Sequence, residues 1–161
     1  MGGIQLSRVL SPSNEDYLEA IFDLSFEQVP VRSIDVATRL NVSRASVNKA
    51  VGLLKESGFV TQQPYGGILL TEEGKAVAAK VRMCHTTIKI LLQQLFGVPK
   101  ETAEAEACKI EHVISDDTLS RLIDFVKKNF DKNLMTNVHA NYDIKSNIYG
   151  NLPQAEDGVA V

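Results

Sequence analysis

The order of structural signals in the first 71 residues constrains the fold more than any other feature of this chain. Ser13 predicts the N-cap of a first helix that runs to about residue 26 and stops before Pro30. Residues 33–40 predict a second, short helix, and Ser43 predicts the cap of a third helix that ends near residue 57. Three helices are therefore expected, with a tight turn between the second and the third.

A hairpin pattern follows these helices directly. Residues 59–63 and 68–71 favour two short strands, and a tip rich in turn residues separates them. Three helices followed at once by a two-stranded hairpin is the order of a winged helix-turn-helix. We therefore predict a winged helix-turn-helix DNA-binding domain over residues 1–73.

A long amphipathic helix is predicted from Thr71 or Glu72 to about residue 97. Its apolar positions step alternately by four and three residues, which is the pattern of a heptad seam. The seam consists of Val77, Val81, Cys84, Ile88, Leu91 and Leu95. A seam of this length favours pairing of two copies into a homodimer, although shorter helices of the same chain could cover it instead.

Two further helices complete an all-helical domain that we predict over residues 74–130. The first follows Pro99, and Ser115 caps the second. Residues 131–161 contain five asparagines and little apolar periodicity, so a partly disordered C-terminal extension is expected. The predicted fold class is mainly α, with a winged helix-turn-helix domain followed by a helical dimerisation and metal-binding domain.

Composition and charge narrow the functional classes. The chain is 44% apolar and 23% charged, which is typical of a folded protein, and it has no apolar stretch long enough for a membrane span. The N-terminus lacks the pattern of a secretory signal, and two cysteines are too few for a disulfide framework, so a cytoplasmic location is expected. Residues 31–61 carry a net charge of +3 and residues 100–130 one of −2. This asymmetry favours two roles on one chain, although scatter among so few charges explains it equally well.

Three of the predicted helices carry side chains suited to a metal ion. These side chains are Asp16, Glu19, His85, Cys108, Glu111 and His112. The last three are spaced i, i+3 and i+4 on the predicted fifth helix, so a thiol, a carboxylate and an imidazole converge there. Each feature alone has an ordinary explanation, such as acidic bias at a helix N-terminus or a histidine at the core boundary. Together they form a mixed oxygen, nitrogen and sulfur donor set for a first-row divalent ion.

Four segments carry a resemblance to a known family. They are residues 13–21 (SNEDYLEAI), 42–47 (VSRASV), 67–74 (GILLTEEG) and 106–116 (EACKIEHVISD). With these segments the chain resembles the metal-dependent repressors typified by the diphtheria toxin repressor and the manganese transport regulator, over about residues 11–130. The last segment is similar to that family's ligand helix almost residue for residue. The resemblance implies that the six side chains named above are metal ligands and that the third helix is the recognition helix.

The resemblance is divided between two branches of that family. Asp16 is similar to the manganese branch, where the iron branch has Met, whereas Cys108 is similar to the iron branch, where the manganese branch has a carboxylate. Lys89 replaces a Glu that the iron branch uses in a second site, and the chain is too short for that branch's third domain. Length and Asp16 favour the manganese-type architecture. The implied cofactor is Mn²⁺, with Fe²⁺ as the alternative and Zn²⁺ able to bind in vitro.

The expected DNA contacts divide by type. Arg32, Arg39 and Lys55 are candidates for phosphate contacts, which position a protein without reading sequence. Contacts to base edges or nearby phosphates are expected from the start and exposed side of the third helix. The candidates there are Ser43, Arg44, Ala45, Ser46 and Lys49. Tyr65 at the wing tip is expected along the backbone or minor groove, although a plain hairpin turn explains it equally well.

These patterns predict a metal-responsive transcriptional repressor. Binding of Mn(II) or Fe(II) is expected to bridge the two domains and favour a double-stranded DNA operator, with metal-uptake genes implied by the resemblance. A homodimer is expected, and neither a membrane nor an organic small-molecule ligand is expected as a partner. The alternatives are a winged-helix regulator that responds to a non-metal signal and a metal-dependent hydrolase. The sequence has no His-Glu-x-x-His pair, phosphate-binding loop or nucleophile elbow, so an enzyme is not expected.

Overall fold

The computed structural model describes residues 10–64 and 66–130, and these ranges contain six helices and one two-stranded antiparallel sheet. The elements are α1 (Pro12–Ser25), α2 (Ser33–Leu40), α3 (Arg44–Glu56), β1 (Val60–Gln62), β2 (Ile68–Leu70), α4 (Glu72–Gln94), α5 (Lys100–Ile110) and α6 (Asp116–Asn129). The predicted mainly helical fold, with a winged helix-turn-helix followed by three helices, is confirmed. No described helix has the length and hydropathy needed to cross a bilayer. Tyr65 and the predicted extension at 131–161 lie outside the described residues.

Hydroxyl side chains cap four of the helices. The predicted caps of α3 and α6 are confirmed, because Ser43 and Ser115 each accept a hydrogen bond from a backbone N–H three residues later. The prediction for α1 is wrong: its cap is Ser11, whose Oγ accepts from the backbone N–H of Asn14. Pro12 explains the difference, since its fixed φ and missing N–H suit the first helical position and move the cap to the residue before it.

The wing is joined to the rest of the domain on both sides. In the hairpin, Val60 pairs with Leu70 and Gln62 pairs with Ile68. Val31, just before α2, forms a further bridge with Ile68 through backbone hydrogen bonds of 2.7 and 2.9 Å. On the other side, the first turn of α4 touches the Phe59 carbonyl so closely that a Cβ on Gly74 would lie 1.9 Å from its oxygen. The wing therefore connects α2 to the start of α4.

Helix α4 packs against α1, α5 and α6 of its own chain. This packing buries Val81, Cys84, Ile88 and Leu91, none of which is more than 9% exposed. Four of the six predicted seam residues are therefore covered within the chain, which favours the alternative at those positions, whereas Leu95 is 50% exposed. The homodimer itself stays a prediction. A heptad pattern records only that one face of a helix is covered, so α5 and α6 satisfy it as well as a second copy would.

Candidate metal centre

Five of the six predicted ligands meet where α1, α4 and the end of α5 join. His85, Cys108 and Glu111 form one group, and Asp16, Glu111 and His112 form another. Within each group the potential ligand atoms lie within 4.8 Å of one another. Glu111 belongs to both groups. The junction therefore places carboxylate, imidazole and thiol donors from three helical segments side by side.

The end of α5 sets the direction of two of these side chains. The prediction that Glu111 and His112 lie on the fifth helix is wrong by one and two residues, because α5 ends at Ile110 and Glu111 is its C-cap. Glu111 keeps helical backbone angles, and its N–H still bonds the carbonyl of Ala107. His112 lies in the turn that follows and contacts α1. Cys108, in the last turn of α5, therefore belongs to one donor group, and His112, just beyond the helix, belongs to the other.

The carboxylate of Glu111 is completely buried and only half partnered. Its Oε2 lies 2.7 Å from His85 Nδ1, whereas its Oε1 has no hydrogen-bond partner and is 3.5 Å from His112 Nε2. No other buried side-chain oxygen or nitrogen in the described ranges lacks a partner. Because burying such an oxygen without a partner costs free energy, this atom indicates a position for a cation.

His85 lies between α5 and the core of the helical domain, with its side chain only 2% exposed. Its Nδ1 faces Glu111 and also lies 3.7 Å from Cys108 Sγ, and its Nε2 lies 2.9 Å from Glu104 Oε1. Burial lowers the pKa of His85, but the hydrogen bond and charge of Glu111, together with the charges of Glu19 and Glu104, leave this pKa above its ordinary value. The ring is therefore surrounded by groups that attract positive charge.

His112 connects the turn after α5 to α1. Its Nδ1 lies 2.6 Å from Glu15 Oε2 and its Nε2 lies 3.1 Å from Asp16 Oδ1. Burial lowers the pKa of His112, but these carboxylates and Glu111 together raise it by more than burial lowers it. The pKa of His112 therefore also lies above its ordinary value. Sequence analysis named neither Glu15 nor Glu104 among the ligand candidates. The sequence could have indicated Glu104, because it precedes Cys108 by four residues and so lies on the same face of the predicted fifth helix.

Glu19 lies beside both groups without belonging to either. Burial, followed by the negative charge of Glu111, raises the pKa of Glu19 above its ordinary value. Arg82 of α4 donates to Glu19 Oε1 at 3.3 Å and lies 3.6 Å from Asp23 Oδ1. Asp23 also pairs with Arg39 of α2 at 3.0 Å. A chain of ion pairs thus runs from the candidate metal centre to the helix-turn-helix.

The two cysteines have different environments. Cys84 lies in the core, as the seam predicts, and burial raises the pKa of its thiol to about 12. Burial and the negative charge of Glu111 raise the pKa of Cys108 to about 11. Both groups are therefore neutral thiols near pH 7 in the protein alone. A divalent ion is the kind of neighbour that would convert Cys108 to a thiolate ligand.

The predicted DNA contacts lie on the outer side of α3 and on the segments around it. Arg44, Ala45 and Lys49 are exposed, as is Asn48, which sequence analysis missed although it follows Ala45 by three residues on the same face. The other α3 candidates already have local partners. Ser43 accepts from the N–H of Ser46, and their hydroxyl oxygens are 2.8 Å apart.

The three candidate phosphate contacts are also partnered. Arg32 binds both oxygens of Asp35, at 2.6 and 2.8 Å, and Arg39 pairs with Asp23. Lys55 donates to the carbonyl of Gln62 in β1 at 3.3 Å. These contacts hold the cations near the helix-turn-helix surface while leaving Arg32 65% exposed and Arg39 45% exposed.

Comparison with known proteins agrees with this architecture. Residues 9–68 match the family model for the N-terminal DNA binding domain of the iron-dependent repressors, and residues 71–133 match the model for their metal binding and dimerisation domain. The chain belongs to the iron-dependent repressor family. Its junction of α1, α4 and α5 therefore lies between a domain that binds DNA and a domain that binds metal and dimerises in that family.

Individual relatives from this family are regulators of transcription. The chain is 41% identical over 124 residues to the uncharacterized HTH-type transcriptional regulator MJ0568 of Methanocaldococcus jannaschii, covering 76% of this chain and 99% of that protein. It is 36% identical over 114 residues to the transcriptional regulator MntR of Salmonella typhimurium, covering 71% of this chain and 72% of that protein. The structure of the manganese regulator SloR matches with a TM-score of 0.65 at 28% identity, covering 73% of this chain and 55% of SloR.

Proposed function

We propose that this protein is a transcriptional repressor whose affinity for its DNA operator rises when Mn(II) or Fe(II) binds between α1, α4 and α5. The observation that carries the proposal is the buried carboxylate of Glu111, which both donor groups share and whose Oε1 has no hydrogen-bond partner. Membership of the repressor family supports the DNA-binding half of the proposal. The family's regulators of transcription also support a protein that is not an enzyme.

The donor atoms fit a divalent ion. The residues that would hold it are Asp16, Glu19, His85, Cys108, Glu111 and His112. A bound ion supplies positive charge and coordination to this set of carboxylates, imidazoles and thiol. Asp16 and Glu19 belong to α1 of the DNA-binding domain, whereas the other four lie on α4 and at the end of α5. The negative charge of Glu111 helps to raise the pKa of Glu19, and this repulsion acts across the boundary between the two domains.

Mn²⁺ is the first choice of cofactor and Fe²⁺ the second. Oxygen donors such as Asp16 suit Mn²⁺, whereas a thiolate at Cys108 favours Fe²⁺ or Zn²⁺, so Zn²⁺ binding in vitro is also expected. Similar proteins include a manganese regulator, whereas the family itself is named for dependence on iron. We place the domain boundary near residue 73, which the meeting of the two family models between residues 68 and 71 supports. The proposed assembly is a cytoplasmic homodimer on double-stranded DNA.

The proposed DNA surface is the exposed side of α3 with the residues that flank it. Arg44, Ala45 and Lys49 are offered to base edges, with the hydroxyls of Ser43 and Ser46 at the start of the helix. The other proposed contacts are Arg32, Arg39, Lys55 and Tyr65, on phosphates or at the wing. A dimer that binds two half-sites needs its two DNA-binding domains at a fixed spacing, since half-sites lie about 34–36 Å apart or at multiples of that distance. Restraining α1 against α4 and α5 would restrict this spacing.

The test measures DNA affinity with and without metal. Duplexes selected by the protein from a random-sequence library in Mn²⁺ are titrated by fluorescence anisotropy, with Mn²⁺, with anaerobic Fe²⁺ and after chelation. The expected gain on adding metal is about 5–150-fold. His112→Ala should abolish the gain, and Glu106→Ala, which removes an exposed carboxylate from α5, should preserve it. Equal affinity after chelation would favour a regulator with a non-metal signal, and turnover of simple phosphate or carboxylate esters would favour a hydrolase.

A further inference from the structure

His85 is held between two carboxylates at opposite sides of its ring. Nδ1 lies 2.7 Å from Glu111 Oε2 and 3.7 Å from Cys108 Sγ, so this nitrogen faces the candidate ligands. Nε2 lies 2.9 Å from Glu104 Oε1, and Glu104 belongs to neither donor group. The two nitrogens of His85 therefore contact groups with different functions.

Glu104 is itself held in place by a neighbour on α4. Its second oxygen, Oε2, lies 3.0 Å from Nζ of Lys89, which follows His85 by four residues. The same carboxylate thus contacts two positions on α4, one through each oxygen. Its side chain is 47% exposed, so the Lys89 contact restricts an orientation that packing alone would not.

The arrangement decides which nitrogen of His85 is available to a metal. A neutral imidazole carries one N–H, and carboxylates face both nitrogens of His85. A metal ion held by the donor group that Nδ1 faces would take the lone pair of that nitrogen, so the hydrogen would lie on Nε2, where Glu104 can accept it. We propose that Glu104 is a positioning residue that accepts the Nε2–H of His85, leaving Nδ1 as the metal ligand, while Lys89 fixes the Glu104 carboxylate. This inference rests on the proposed function, and it assigns Glu104 a place outside the coordination shell.

The experiment uses the full chain with ¹⁵N-labelled histidine. In wild type loaded with diamagnetic Zn²⁺, the His85 spectrum should show a metal-bound Nδ1 and a protonated Nε2. Glu104→Ala should lose the slowly exchanging Nε2 proton and weaken Mn²⁺ binding, measured by calorimetry, by about 10–100-fold. Glu104→Gln should retain most of the affinity, because its side-chain carbonyl still accepts the Nε2–H. Glu106→Ala, the matched loss of one exposed carboxylate from α5, should bind Mn²⁺ as wild type does.

Two results would overturn the inference. One is a wild-type spectrum in which Zn²⁺ is bound to Nε2 of His85. The other is a Glu104→Ala variant that binds Mn²⁺ as tightly as Glu106→Ala. Failure of the proposed function is distinguishable, because wild type itself would then bind neither ion.

Discussion

Glu111 allows the sharpest test of the metal centre, because it is the one residue common to both donor groups. Each independent ion at about 100 times its dissociation constant adds roughly 2.7 kcal/mol to the free energy of unfolding. For a chain of this size, that corresponds to a rise in Tm of about 5–10 °C per ion. Glu111→Gln should therefore abolish the rise that Mn²⁺ produces, because it removes the shared carboxylate.

Single-group variants distinguish one ion from two. If each group holds its own ion, Asp16→Asn and Cys108→Ser should each retain about half of the wild-type rise in Tm. If all the donors hold one ion together, each variant should lose nearly all of it. Glu111→Gln should change the metal-free Tm much less, since the amide oxygen can replace Oε2 beside His85 and the substitution removes the charge that repels Glu19.

The assay is thermal unfolding of chelator-stripped protein under anaerobic conditions, followed by circular dichroism with and without Mn²⁺. Glu106→Gln serves as the matched control, because it changes an exposed carboxylate near the end of the same helix. A Glu111→Gln protein that keeps more than half of the wild-type rise would refute the reasoning. So would a Glu106→Gln protein that loses it.

Four further predictions follow from the packing and charges. Gly74→Ala should destabilise the protein by about 1–3 kcal/mol in urea denaturation, because the new Cβ would lie 1.9 Å from the Phe59 carbonyl oxygen, and an unchanged midpoint would contradict that contact. Gly52→Ala should instead stabilise it by about 0.5–1 kcal/mol, since Gly52 is exposed within α3 and its Cβ would touch nothing within 4 Å; a loss of stability would show the reasoning to be wrong. Burial raises the pKa of Cys84 to about 12. A thiol reagent at pH 8 should therefore modify at most one cysteine in the native protein and two after denaturation. Rapid modification of both cysteines in the native state would be inconsistent with the core position of Cys84. Arg82→Gln should lower the metal-free stability by about 1 kcal/mol but enlarge the Mn²⁺-induced rise in Tm, because Glu19 and Glu111 then repel without Arg82, and an unaltered rise would argue against that repulsion.

Local sequence patterns were enough to predict the helices, the hairpin and most of the candidate ligands. Capping hydroxyls and apolar spacing depend on residues within a few positions of one another, so Ser43 and Ser115 could be recognised as caps directly. The i, i+3 and i+4 spacing of Cys108, Glu111 and His112 likewise predicted that they lie close together, and Glu111 does lie near each of the others, but Cys108 and His112 belong to different groups. The error at Ser13 arose within the same local rules, because two serines flank Pro12 and only one could be the cap.

Tertiary packing decided how these parts are used. The heptad pattern of α4 could not specify its partner, and the structure covers it with α1, α5 and α6 of the same chain. The contact between His112 and Asp16 joins residues 96 positions apart, and the Glu104 and Glu111 contacts with His85 also depend on how α5 lies on α4. Helical periodicity acts over a few turns, whereas these contacts depend on which apolar faces meet. The amino-acid sequence alone therefore determined most of the candidate donors, and only the tertiary structure made Glu111 the carboxylate that both groups share.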